Sequence, residues 1–193
     1  MRASLDSGRY TAVAIALHWA IALLILFNLG LGFFMEGFAR PLRVTVVGLH
    51  ISSGITVLAL TVFRLVWRLM HRPPQFPANM ALWERTTAHA AHRFIYFLML
   101  AMPLSGWSII SARPPPPGLA RLWSVFPLPM LHPISQWDPS VRKSAHAAFV
   151  EIHSIGGWIF VAVLALHVGA ALKHQFHDRQ AEFARIGIGR LPG

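Results

Sequence analysis

The stretch "HSIGGWIFVAVLALH", residues 153–167, carries a histidine at each end of thirteen almost wholly apolar residues. On an α-helix, fourteen steps of 100° return the second side chain to within about 40° of the first, so His153 and His167 share a face. At 1.5 Å per residue they stand roughly 21 Å apart along the axis. That is about two thirds of a bilayer's hydrocarbon thickness, so a helix crossing a membrane would present one imidazole near each surface.

Composition points to that membrane. The 193 residues are 55% hydrophobic and 12% charged, about half the charge fraction of an ordinary soluble domain. Four segments are long and apolar enough to cross, and the reading is an all-α four-helix transmembrane bundle in one membrane-embedded domain spanning residues 1–193. Its helices cover about 11–36, 44–70, 87–111 and 144–176, and a long external loop covers 112–143. The first segment follows Arg2 and Arg9 as a signal peptide would, but its apolar run is too long and lacks a small-x-small cleavage site, so it is expected to be retained. Eleven of the seventeen Lys and Arg residues fall on the side of the N-terminus, second loop and C-terminus, and six on the other, which puts both termini in the cytoplasm. The net charge of +10 suits attraction to anionic lipid headgroups, and no nucleic-acid motif is present. Cysteine is absent, which excludes thiolate-held iron–sulfur clusters, covalent c-type haem attachment and disulfides. Any redox centre must hang on histidine.

Four histidines lie deep in the apolar segments. His18 sits about two turns in from the cytoplasmic start of the first helix, and His50 a similar distance in from the external start of the second. Depth therefore pairs His18 with His167 and His50 with His153, and two opposed imidazoles at one level suit the two axial positions of a haem iron. The residue four after each of them is small, Ala22, Gly54, Gly157 and Ala171, which leaves flat room beside the ligand. Arg64 follows His50 by fourteen, on the same face at the level of the cytoplasmic pair, and is the candidate partner of a haem propionate; the plainer reading is a snorkelling interfacial arginine. His146, one heptad before His153, is the rival external ligand, although only two residues separate it from Lys143. His92 and His174, at the cytoplasmic ends of helices three and four, are candidates for a quinone or proton-transfer site.

The pattern resembles the bacterial cytochrome b-561 family of four-helix dihaem membrane proteins. The resemblance runs through "RYTAVAIALHW", "GLHISSGITVLALTVFRLVWRL", "AHAAHRFIYFLMLAMPLSGW" and "EIHSIGGWIFVAVLALHVGAALKHQF", nearly the whole chain. It implies two non-covalent b haems with bis-histidine ligation, which on the matching positions means His18 with His167 for the cytoplasmic iron and His50 with His153 for the external one. It also implies a bacterial inner-membrane location and, for one subgroup, oxidation of superoxide at the external face with ubiquinone as electron acceptor.

The leading functional reading is thus a superoxide:ubiquinone oxidoreductase, with lipid, quinone and a small anionic or redox-protein donor as partners. Bis-histidine ligation leaves no axial position for oxygen, and Arg113, Arg121, Arg142 and Lys143 would make the external mouth attractive to an anion. In the long loop, "RPPPPG" reads as stiff and extended and "LARLWSVF" as a short interfacial helix, the whole forming a lid over the external face. The alternative is a cytochrome b anchor passing electrons for a hydrogenase or another multi-subunit dehydrogenase. A haem-free metal transporter lacks the acidic groups that would line its path.

Overall fold

The computed structural model describes residues 8–75, 80–113 and 121–189. Four long helices, α1 (Ala12–Phe34), α2 (Arg40–Met70), α3 (Leu82–Ala112) and α5 (Pro139–Leu172), are the membrane-crossing candidates. A 3-10 turn at Met35–Gly37 joins α1 to α2. A small hairpin of β1 (Arg121–Leu122) and β2 (Phe126–Pro127) and the single turn α4 (His132–Ser135) lie between α3 and α5. A π turn at Lys173–His177 and the short α6 (Glu182–Arg185) complete the order.

The last three long helices start earlier than hydropathy alone indicates. Helix α2 opens at Arg40 because Pro41, in its first turn, needs no helical N–H partner there. Helix α5 opens at Pro139 behind Asp138 for the same reason, five residues before the apolar run. Helix α1 packs on α2, α2 on α3 and α3 on α5. At mid-height the contact is made by Ile21, Ile25, Val57, Leu98, Met99 and Phe160. The outside is as apolar as the inside: Leu69 is 87% exposed and Leu166 73%. Such a surface is stable only against lipid.

Residues 8–12, 71–75 and 178–189 gather on one face of the bundle, here the terminal face; the hairpin and α4 belong to the opposite side. Arg185, nearly buried, fastens the terminal face. Its guanidinium donates to Pro74 O at 3.2 Å and Gln75 O at 2.8 Å, while its own carbonyl accepts from Tyr10 N at 3.1 Å. Next to it Ile186 O accepts from the Trp19 indole at 2.9 Å. Gly187, at φ +97°, passes so close to Ile15 that a Cβ would stand 2.9 Å from it.

The long loop corrects one expectation. The "RPPPPG" tract lies, after Arg113, outside the described residues, but residues 121–126 form a hairpin and no interfacial helix. Val125 N bonds Leu122 O across Trp123 and Ser124, both left-handed at φ 51° and 61°, which makes a primed turn. Tertiary bonds offset the cost of that conformation at a bulky residue: Trp123 N donates to Ser52 Oγ at 2.8 Å and its indole to Thr56 Oγ1 at 3.2 Å. Ser52 and Thr56 lie roughly 18 and 24 Å along α2 from Arg40, so the hairpin tip reaches about the middle of a membrane-crossing helix. Irregular backbone at that depth must find partners within the protein. Arg121 folds back on its own hairpin, donating to Ser124 O and Val125 O, and Leu131 N donates to Ser111 Oγ at 3.0 Å.

Removing one acceptor strands one amide. Ser52→Ala and Ser111→Ala should each cost about 1 kcal/mol or somewhat more and open the Arg121 bond to trypsin, whereas Ser108→Ala, whose exposed hydroxyl serves only its own helix through Leu104 O, should do neither. Thermal unfolding and limited proteolysis check this; equal behaviour of the three variants would refute the stitching.

Candidate functional site

Two layers of histidine occupy the bundle. In the layer away from the termini, His50 of α2 and His153 of α5 face each other with ring centroids 6.0 Å apart and planes at 83°. Two nitrogen–metal bonds of about 2 Å, with about 1 Å more from each nitrogen to its ring centre, also add to about 6 Å. The spacing is that of two imidazoles on opposite sides of one metal ion.

Both rings are held through Nδ1. His50 Nδ1 lies 3.0 Å from Asn28 O, a pure acceptor, so the imidazole donates there and its Nε2 lone pair is free. Asn28 also reaches across with its amide, donating to His50 O and to Ser53 Oγ at 2.7 Å each. His153 Nδ1 lies 2.9 Å from Ser105 Oγ, whose single hydrogen goes to Met102 O at 2.8 Å. Ser105 therefore accepts from His153, and again Nε2 is left as a lone-pair donor. This second-partner arrangement is the one that orients metal-bound histidine.

Between the rings opens a cavity of about 560 Å³ whose lining includes His50, His153, Gly32, Gly54, Gly106 and Gly157. Its size lies within the ordinary range for cofactor sites. A Cβ at Gly32 would stand 3.0 Å from His50 Cε1, and one at Gly106 would stand 3.1 Å from His153 Cε1. Larger residues there would displace the rings. The paired lone pairs, the ring separation and the glycine-walled cavity all fit a flat metal macrocycle held by two histidines.

The terminal layer is built differently. His18 accepts at Nδ1 from Arg64 Nη1 at 3.2 Å and packs edge-on against Trp19, centroids 5.3 Å apart. His167 has His92 as its ring neighbour, 5.4 Å away at 65°. His18, His92, His167 and Arg64 thus gather at one end, and His92 stands nearer the layer than an interfacial position suggests. Arg64 and Arg68 both approach the Tyr96 ring, at 5.8 and 5.7 Å.

Below that layer His174 sits in the π turn and bonds Asp178 Oδ2 through Nδ1 at 2.6 Å. Lys173 ties the same carboxylate, at 2.9 Å, to Glu84 of α3, at 2.7 Å. The Lys173 hydrogen bond, with His174 adding to it, holds the Asp178 carboxyl below its ordinary range. Glu84, His174 and Asp178 offer ligand atoms within 4.8 Å of one another, but the Lys173 ammonium already serves as the cation among them. His146 lies outside the His50–His153 cavity, in a separate basic recess.

Sequence reading missed Asn28, Ser105, Gly32, Gly106 and Tyr96. Asn28 carried a signal, being a lone amide in the apolar run "LLILFNLGLGFF". The two glycines carried none, because they sit beside histidines of other helices.

Comparison with known proteins identifies the family. Over 180 residues the chain is 27% identical to "Cytochrome b561 homolog 2" of Escherichia coli (strain K12), covering 92% of this chain and 90% of that one. Over 169 residues it is 26% identical to the "Probable superoxide oxidase CybB" of Yersinia pestis, covering 87% and 89%. The profile of the prokaryotic cytochrome b561 family matches residues 9–188. With haem b implied by that match and four helices able to cross a membrane, the chain belongs to the prokaryotic cytochrome b561 family of membrane electron-transfer proteins.

Proposed function

We propose that this chain is a dihaem cytochrome b that carries electrons across the bacterial inner membrane, from superoxide on the outer side to ubiquinone near the cytoplasmic side. Both termini lie in the cytoplasm on the charge count, eleven basic residues against six, so the His50–His153 layer is the external one. The observation that carries the reading is the pair of imidazoles 6.0 Å apart, each with Nδ1 engaged and Nε2 free.

Haem b, when bound, supplies an iron that takes up and gives off single electrons. His50 and His153 would hold the external iron, and His18 and His167 the cytoplasmic one. Were His18 to hold the iron through Nε2, its proton would sit on Nδ1 and Arg64 would release that nitrogen, leaving its guanidinium free for a haem propionate. Arg64 would put a guanidinium beside the terminal layer, whereas the hydrogen-bond partners of His50 and His153 are neutral. With two histidines holding the iron, a donor would have no need to bind it, which suits a small anion that gives up its electron at a distance. Two superoxide anions each lose one electron to become dioxygen, and ubiquinone takes both electrons with two protons to become ubiquinol. His92, beside His167, and His174, oriented by Asp178, are the groups proposed to hand on those protons.

Outside, Arg113, Arg142 and Lys143 meet in one recess and attract the anion together, while Arg121 keeps its charge but is tied to the hairpin carbonyls. Support for superoxide as donor comes from the likeness to the Yersinia pestis protein; the anchor of a multi-subunit dehydrogenase is the other reading.

Haem per chain, measured as the pyridine haemochrome, should be two. His50→Ala or His153→Ala should remove one haem, His18→Ala or His167→Ala the other, and His92→Ala neither. Gly106→Leu should mimic His153→Ala by pushing the ring aside. If His146→Ala lost a haem while His153→Ala kept both, the external pairing would be wrong.

Neutralising Arg113, Arg142 and Lys143 together should lower the second-order rate with superoxide about tenfold at low salt and flatten its dependence on ionic strength, with haem content unchanged. An unchanged rate would remove steering. A purified chain that reduces no quinone with superoxide, yet copurifies with a soluble redox subunit, would hand the case to the anchor.

A further inference from the structure

A second cavity, of about 460 Å³, opens away from the His50–His153 layer. It is lined by Ala112 and Arg113 at the end of α3 and by Pro139, Arg142, Lys143 and His146 at the start of α5. Positions 139, 142, 143 and 146 follow the i, i+3, i+4, i+7 pattern, so α5 presents them as one stripe toward the end of α3. Three permanent cations and an imidazole thus meet in one recess without a carboxylate among the lining residues.

Elsewhere in the described residues three basic side chains meet carboxylates: Arg43 meets Glu36, Lys173 meets Glu84 and Asp178, and Arg185 meets Glu182. Arg113, Arg142, Lys143 and His146 make no side-chain hydrogen bond or ion pair among the described residues. Arg142 Nε is moreover shielded from solvent and has no acceptor. Asp138, the nearest acid in sequence, caps α5 with its backbone, its carbonyl accepting from Arg142 N at 2.9 Å. The free amides of the first turn of this 34-residue helix add their partial positive charge. Gathering three like charges and burying a guanidinium N–H without a partner is unfavourable unless an anion completes the set.

We infer that this recess is a binding site for a phosphate group. A tetrahedral oxyanion offers enough acceptor oxygens to engage a guanidinium fork and two further cations at once, which a diatomic anion does not. The recess lies where two membrane-crossing helices end, beside Trp137, which is 39% exposed, so the phosphodiester of a lipid headgroup is one source and inorganic phosphate the other. A phosphodiester carries one negative charge against three positive ones, so it leaves a net attraction for other anions at the same mouth.

The test uses the haem-loaded full chain in an uncharged detergent. Inorganic phosphate should raise the thermal midpoint of the wild type, followed at the haem absorbance, above that in chloride at equal ionic strength. Arg142→Gln/Lys143→Gln should bind phosphate about tenfold more weakly and lose the shift, Arg113→Gln should weaken it, and Arg40→Gln, basic but outside the recess, should leave it. Native mass spectrometry separates the sources. A phospholipid that survives washing on the wild type, leaves on adding phosphate and is missing from the double variant assigns the site to lipid; a phosphate shift without retained lipid assigns it to the free anion. If the wild type and the haem-replete double variant respond alike to phosphate and retain the same lipid, the inference is overturned. None of these readouts involves superoxide or quinone, so they stand or fall apart from the electron-transfer reading.

Discussion

An imidazole N–H inside hydrocarbon needs an acceptor, and the bundle is arranged around meeting that need. At His50 the acceptor is Asn28 O of the neighbouring helix, and the Asn28 amide returns the bond to His50 O and Ser53 Oγ. That reciprocal clamp joins α1 to α2 at one height. The counterpart joins α3 to α5, where Ser105 accepts from His153 while giving its own hydrogen to Met102 O. Pro103, next in the chain, has no N–H for Met99 O, so this part of α3 is rich in carbonyls free to accept. Each histidine is thereby locked by the helix it packs against, and the cavity lies between the two locked pairs. Gly32 and Gly106 sit on those partner helices because a side chain there would push the rings out of line.

The two layers solve the same problem with different electrostatics. The hydrogen-bond partners of His50 and His153 are neutral, whereas Arg64 and Arg68 press on Tyr96 and Arg64 reaches His18. The apolar band of Ile21, Ile25, Val57, Leu98, Met99 and Phe160 separates them. It excludes water from the middle of the bundle, so the two ends can hold different local fields without averaging.

Much of this was legible in the residues. Four apolar runs, the fourteen-residue interval from His153 to His167 and its repeat from His50 to Arg64 are local facts, and helical periodicity converts them into faces and depths. Depth alone put His50 opposite His153, and the rings meet there. Depth does not give rotation about the helix axis, and for that reason the ring contact of His92 with His167 was not foreseen. The segment "LARLWSVF" was misjudged for a related cause. It has no glycine for a primed turn, and only the distant hydroxyls of Ser52 and Thr56 make left-handed Trp123 acceptable. The early start of α5 was readable in Asp138–Pro139 but was outweighed by the hydropathy of the run that follows.

The fastening at Arg185 has a consequence for biosynthesis. Tyr10 and Trp19 leave the ribosome about 170 residues ahead of their partners Arg185 and Ile186, a lag on the order of ten seconds at ordinary elongation rates. His18 and His50 likewise precede the whole of α5, which brings both His153 and His167. A nascent chain with two or three helices inserted therefore displays His50 without His153 and His92 without His167. Both ring pairs form only when the last long helix enters the bilayer.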